Sequence, residues 1–249
     1  MDLGISGKRA IVAAGSAGLG FATAQALIAE GVTVAICGRD ASKLDLARRN
    51  LGGATVAIRA DLSEPTEGAR FAAEARAALG GCEILIANAG GPPAGTFAST
   101  DLDAFLYAFD LNCRSSIAMC QTLIPEMQRE GWGRVVAITS IGAKQPIGAL
   151  LASSVARAAL TSFLKVTAHE VAADGVTVNN LCPGLHATDR LTGIYDDATL
   201  NALAANVPAK MIGDAAGFGA AAAFLCSQHA SYITGTSIQI DGGAFAGLL

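Results

Sequence analysis

The stretch Arg9-Ala-Ile-Val-Ala-Ala-Gly-Ser-Ala-Gly-Leu-Gly-Phe-Ala-Thr-Ala-Gln-Ala-Leu-Ile-Ala-Glu-Gly31 decides the fold. It opens as a short apolar run without alternation and turns through Gly15, Ser16, Gly18, Leu19 and Gly20. Residues Phe21 to Glu30 then read as a helix that stops at Gly31. Strand, glycine turn and helix in that order make the first unit of a dinucleotide-binding fold. Glycines are needed there because a side chain would hold the backbone off a pyrophosphate, whose charge faces the free N–H groups and dipole of the helix. A second apolar run, Val32 to Cys37, follows at once, as a right-handed crossover requires.

The same alternation continues along the chain. Ser42-Lys-Leu-Asp45 reads as a capping box for a helix to Leu51, followed by a strand near Thr55 to Arg59. Asp61 to Pro65 starts a further helix, which runs to Gly80-Gly81, and Ile84 to Ala87 is a fourth strand closed by the loop Asn88-Ala-Gly-Gly-Pro-Pro93. A long helical stretch from Thr100 to about Arg129 breaks near Asn112. Gly133 to Ser140 is a strand, Ser153 to Ala173 a helix, and Val176 to Cys182 and Ser237 to Ile240 are the last two strands. Because the strands are continuous Val, Ile and Ala runs, the expected architecture is a single Rossmann-like, doubly wound, seven-stranded parallel sheet with helices on both faces.

Composition excludes several classes. A chain of 249 residues, 52% hydrophobic, can bury a sizeable core, and one domain spanning 1–249 is expected. The net charge is −4 and the only adjacent basic pair is Arg48-Arg49, so no basic stripe offers itself to nucleic acid or anionic lipid. No apolar run reaches the ~20 residues of a membrane span. The six cysteines contain no C-x-x-C pair and, with no basic-then-apolar leader at Met1-Asp2-Leu3, suit a reducing cytoplasm as small core residues. His169, His186 and His229 are too dispersed for a metal site, though His186 is close enough to Pro183-Gly184 to line a pocket.

The order of the Gly15 to Gly20 turn, Asp61, Asn88-Ala89-Gly90, Asn112, Ser140, Pro183-Gly184 and Asp241-Gly-Gly243 resembles the short-chain dehydrogenase/reductase family over nearly the whole chain. Ala13-Ala14 stand where the family usually has Thr-Gly. The resemblance implies a nicotinamide cofactor, a small-molecule carbonyl or alcohol substrate, and a homotetramer or homodimer built on the long helices after strands four and five. It implies Asp61 and Leu62 beside the adenine, Asn88, Ala89 and Gly90 near the second ribose, Thr188 after Pro183-Gly184 at the nicotinamide amide, and a substrate lid over residues 191–211. Charge indicates which cofactor: a carboxylate after the second strand suits the 2′-hydroxyl of NAD(H), whereas Gly38-Arg39 suits the 2′-phosphate of NADP(H).

Where the family carries Tyr-x-x-x-Lys, this chain has Ser153-Ser-Val-Ala-Arg157. A four-residue separation keeps both side chains on one helix face. A serine hydroxyl ionises far less readily than a phenol, and arginine stays charged and relays no proton. Two replacements are open. Lys144, in the loop after Ser140, is placed to polarise or protonate a carbonyl; alternatively, Ser140 and Ser153 hydrogen-bond a developing alkoxide beside Arg157 while water held by Asn112 brings the proton. Tyr107 reads as core or interface, and Tyr195 as a residue of the lid. Gly91 to Thr96, Lys144 to Leu150 and Leu185 to Tyr195 would line a mostly apolar substrate pocket. The leading expectation is NADP(H)-dependent hydride transfer. A nucleotide-binding protein without turnover, and cofactor-free lyase or dehalogenase chemistry with arginine at the lysine position, are the alternatives.

Overall fold

The computed structural model describes residues 1–249 except Gly53, Asp189, Arg190, Thr192, Ile194, Tyr195 and Leu249. Seven strands form one sheet: β1 (Arg9–Val12), β2 (Thr33–Gly38), β3 (Val56–Arg59), β4 (Ile84–Ala87), β5 (Gly133–Ile138), β6 (Val176–Pro183) and β7 (Ser237–Ile240). Their order is β3-β2-β1-β4-β5-β6-β7, and every adjacent pair is parallel. The order reverses between β1 and β4, so the carboxyl ends of these strands open a crevice where such folds bind ligands. The helices are α1 (Gly18–Ala29), α2 (Ala41–Leu51), α3 (Glu67–Leu79), α4 (Leu102–Phe109), α5 (Ser115–Arg129), α6 (Leu151–Val171), α7 (Asp197–Asn206) and α8 (Ala215–Leu225).

Two apolar layers cover the sheet because alternate residues of each buried strand face opposite sides. Ile11, Leu85, Val135 and Val178 pack with Phe71 of α3, Leu123 of α5 and Leu164 of α6. Val12, Ile36, Ile86 and Val136 pack with Leu27 of α1 and Phe218 of α8. All six cysteines are free and buried, as expected of small core residues. Burial pushes the thiols of Cys37, Cys82, Cys120 and Cys226 up to about 12.

Several boundaries differ from the sequence reading for local reasons. The cap of α2 is Asp40, whose carboxylate accepts from Lys43 N at 2.9 Å, so the helix starts before Ser42. Asp61 accepts from Ser63 N and Oγ instead of starting a helix, and α3 begins at Glu67. The long stretch does break at Asn112: α4 and α5 are joined by one π-helical turn, Asp110–Arg114, in which Ser115 N reaches back to Asp110 O. Helices α7 and α8 have no counterpart in the sequence reading. Among the described residues no helix is long and apolar enough to cross a membrane.

Candidate active site

The glycine turn is built for close approach. Gly18 has φ +57° and opens α1, while the Cβ that Gly20 lacks would sit 2.5 Å from Ala14 O and 2.7 Å from Asn88 Nδ2. The N-cap residue Ala17 supplies no side-chain hydrogen bond and the first turn of α1 holds no acid, so these N–H groups remain available to an anion. A Cβ on Gly18 would lie 3.6 Å from Thr188 Cγ2, which puts Thr188 across the cleft from the turn. Gly15 is buried against Ile36, and Leu19 packs its side chain on the core, so both face the cleft with backbone. Ala14 has φ +46°, a region costly for any residue with a Cβ.

The next strand ends extend the cleft. Asn88 is buried and donates to Ala14 O at 3.4 Å, Ala89 is half-buried, and Gly90 is exposed with open space where a Cβ would be. On the other side Arg39 and Asp61 line one pocket of about 260 Å³ together with Arg59, Ala60 and Glu67. Leu62 does not join them: only 4% exposed, its side chain belongs to the core, leaving backbone alone for an adenine contact.

At the other end, β5 meets α6. Helix α6 begins at Leu151, so Ser153 lies in its first turn and is not the cap. Ser153 and Arg157 are both buried, and Arg157 Nε donates to Ser153 Oγ at 3.2 Å. Arg157 Nη1 donates to Ile138 O at 3.1 Å and Thr139 O at 2.8 Å, which ties the guanidinium to the end of β5. Arg157 is therefore an interior residue of the chain, not a surface one. Ser140 Oγ accepts from Gly142 N at 2.9 Å. A Cβ on Gly142 would be 3.2 Å from both Ser140 Oγ and Ser154 Oγ, so this turn lies against the start of α6. Both Ser140 and Ser153 thus spend an acceptor lone pair, and neither O–H has an acceptor among the described residues.

Asn112 sits in the π turn, a geometry common at functional sites. Its Nδ2 donates to Gly90 O at 2.7 Å, whereas its buried Oδ1 has no partner among the described residues. Lys144 turns toward the carboxyl-terminal segment, with its ammonium 5.0 Å from the Phe245 ring centroid, and the neighbouring Gln145 Oε1 accepts from Ala246 N. Two of the three segments expected around the substrate meet: Gly95 N donates to Ala149 O at 2.9 Å and Leu151 N to Gly95 O at 3.2 Å.

Pro183 ends β6 and Gly184 N bonds Ile240 O at 3.0 Å. His186 packs inward, away from solvent. It is buried edge-on to Phe218, 5.2 Å between centroids, and burial holds its imidazole below the ordinary histidine value. Gly213 N donates to Leu185 O and Ala187 N to Gly213 O, both at 2.9 Å, so the two ends of the expected lid are clasped together. Tyr195 lies outside the described residues. Tyr107 packs on the core, and Tyr232 is fully exposed. Among the described residues no three His, Cys, Asp or Glu side chains are grouped to hold a metal.

The sequence reading missed Arg59 and Ser154. Arg59 carried no signal beyond its place at a strand end, while Ser154 could have been noticed as the neighbour of Ser153.

A doubly wound parallel sheet, a glycine turn at its reversal point and a polar cluster on β5 and α6 define a dinucleotide-binding oxidoreductase scaffold. The family model described as enoyl-(acyl carrier protein) reductase matches residues 13–244. Dehydrogenase/reductase SDR family member 4 of Bos taurus is 30% identical over 249 residues, 98% of this chain and 89% of the relative. Nodulation protein G of Azospirillum brasilense is 32% identical over 243 residues, 96% of this chain and 98% of the relative. L-Sorbose reductase from Gluconobacter frateurii, solved with NADPH and L-sorbose, is similar with a TM-score of 0.92 at 28% identity over 100% of both chains. The chain belongs to the short-chain dehydrogenase/reductase family of oxidoreductases.

Proposed function

We propose that the protein is an NADP(H)-dependent oxidoreductase acting on a carbonyl or secondary alcohol, with serine hydroxyls in place of a phenol. The observation that carries this reading is the Ser153–Arg157 hydrogen bond. A guanidinium donating to Ser153 Oγ polarises that hydroxyl and leaves its proton to donate. With Ser140 as a second donor, two O–H groups can stabilise charge on a substrate oxygen in a water-poor site. The nicotinamide, when bound, supplies or accepts the hydride. The open space at Gly90, the available N–H groups of α1 and the unpartnered Asn112 Oδ1 fit such a group and a water beside it. In this reading Gly15, Ser16, Gly18, Leu19, Asn88, Ala89, Gly90, Pro183, Gly184 and Thr188 hold the cofactor. Asp61 and the Leu62 backbone border the adenine, Arg39 meets the 2′-phosphate, and Asn112 orders a proton-carrying water. Lys144 serves the substrate side only if it leaves Phe245.

The single domain works in the cytoplasm, with residues 191–211 as its lid. Its assembly partner is a second copy of the chain: Phe105, Leu106 and Phe109 of α4 and Ala152, Val155 and Ala156 of α6 line an apolar groove, the patch type that marks subunit contacts.

The test is a fluorescence titration with NADPH and NADH, followed by a carbonyl panel with the nucleotide that binds. NADPH is expected to bind more tightly, Arg39→Asp to abolish the preference, and Ser153→Ala to lower kcat about 10²-fold, the scale of one lost oxyanion donor. Failure of both nucleotides to bind overturns the reading. A second reading, binding without turnover, draws on Arg157 being spent on backbone carbonyls. It predicts tight NADPH binding, no oxidation across the panel, and no gain from Ser153→Tyr with Arg157→Lys.

A further inference from the structure

We propose that Arg59 is a second cation for the 2′-phosphate, opposite Arg39, so that cofactor choice rests on two guanidiniums from adjacent strands. This rests on the NADP(H) reading above. The location follows from packing: the Cβ that Gly38 lacks would be 2.6 Å from Ser16 Oγ, so the end of β2 lies against the glycine turn, and Arg39 is the next residue. Gly38 pairs with Arg59 in the β2–β3 register, and Arg59 Nε donates to Arg39 O at 3.0 Å. That bond fixes the planar side chain along the pocket wall and leaves its two terminal amino groups to another acceptor.

The charges around this pocket differ in availability more than in number. Each carboxylate near it is already engaged. Asp40 accepts from Lys43 N, and Asp61 from Ser63 N and Oγ. Glu67 takes a forked pair from Arg70 at 2.6 and 2.7 Å, which holds its carboxyl below the usual carboxylate range. Arg70 also donates to Arg59 O at 2.7 Å, adding a third cation behind the wall. Neither Arg39 nor Arg59 makes an ion pair among the described residues. A dianion entering the pocket therefore meets two guanidiniums that hold no ion pair among the described residues, beside carboxylates that each already accept from at least one donor. The pocket, about 260 Å³, has room for a phosphorylated ribose and not for a whole dinucleotide.

The experiment is calorimetric titration of the full chain with adenosine 2′,5′-bisphosphate and, separately, with 5′-AMP, for the natural protein and for Arg59→Gln, Arg59→Lys and Arg39→Gln. Losing one charge-assisted pair is expected to weaken adenosine 2′,5′-bisphosphate about tenfold in Arg59→Gln, with 5′-AMP unchanged within about twofold. Arg59→Lys should recover part of the loss, because the charge returns without the fork. The gap between the natural protein and Arg59→Gln should narrow with added salt. Equal binding of the bisphosphate by natural protein and Arg59→Gln overturns the proposal, as does an equal loss for both ligands, which marks a merely structural residue. If Arg59→Gln fails to fold, a lysine variant that binds the bisphosphate as tightly as the natural protein overturns it instead. A natural protein that does not prefer the bisphosphate to 5′-AMP overturns the NADP(H) reading itself. A preference lost in Arg39→Gln but intact in both Arg59 variants overturns only the role of Arg59.

Discussion

Arg39 and Arg157 carry the same guanidinium at two places along the carboxyl edge of the sheet, and the fold uses them in opposite ways. Arg39 follows β2, is exposed, and has no ion pair among the described residues. Arg157 is buried beside β5 and donates to two backbone carbonyls and to Ser153. The first has no ion pair of its own among the described residues; the second holds backbone and donates to a hydroxyl. Charge near a nucleotide cleft is thus no guide to role until its hydrogen-bond partners are counted.

The sharpest break of this contrast is a pair of alanine variants. Arg157→Ala removes one donor from three buried acceptors and should cost about 3 kcal/mol, seen as a fall in the urea midpoint. Arg39→Ala should stay within about 0.5 kcal/mol of the natural protein, as exposed substitutions usually do. Equal effects would erase the distinction. Ala14, between the two, comes next. Its φ of +46° suits glycine, so Ala14→Gly should stabilise by about 1 kcal/mol and raise Tm by about 2–4 °C, read by calorimetry. A lower Tm would mean that the Ala14 methyl packs more than its backbone strains.

The smallest effect concerns pH at the clasp between Leu185 and Gly213. Burial keeps the His186 imidazole below its ordinary value of 6.5, so the folded form carries it neutral. As pH falls below about 6.5 the unfolded chain takes up the proton first, so this stabilisation is full at higher pH and is lost toward the lower folded value. The decline of Tm between pH 7 and pH 5 should flatten in His186→Gln. An unchanged slope would show that other groups set it.

The strands were legible because a parallel sheet covered on both faces demands continuous apolar runs; Ile84 to Ala87 and Ser237 to Ile240 match to the residue. The break at Asn112 and the i, i+4 pairing of Ser153 with Arg157 were legible from spacing. Helix α8, Ala-Ala-Gly-Phe-Gly-Ala-Ala-Ala-Ala-Phe-Leu, was not, because it is apolar all round and twice interrupted by glycine. Its reason lies in tertiary contact, since a Cβ on Gly219 would fall 2.4 Å from Ala22 O of α1. The contacts of Lys144 and Arg59 were not legible for a related cause: the partner of each, Phe245 or the Arg39 carbonyl, is remote in sequence or backbone rather than side chain. His186 read as a pocket residue because proximity to Pro183-Gly184 gives no hint that Phe218 covers it.

The sheet order β3-β2-β1-β4 has a consequence for how the chain is made. Strand β1 pairs with β2 on one side, but its other edge waits for β4, about 70 residues later, or about 4–14 s at translation rates of 5–20 residues per second. Through that interval the nascent chain presents an apolar, half-paired strand to solvent or to a chaperone. A rare-codon pause placed between residues 38 and 84 would lengthen that exposure, and one placed after 87 would not.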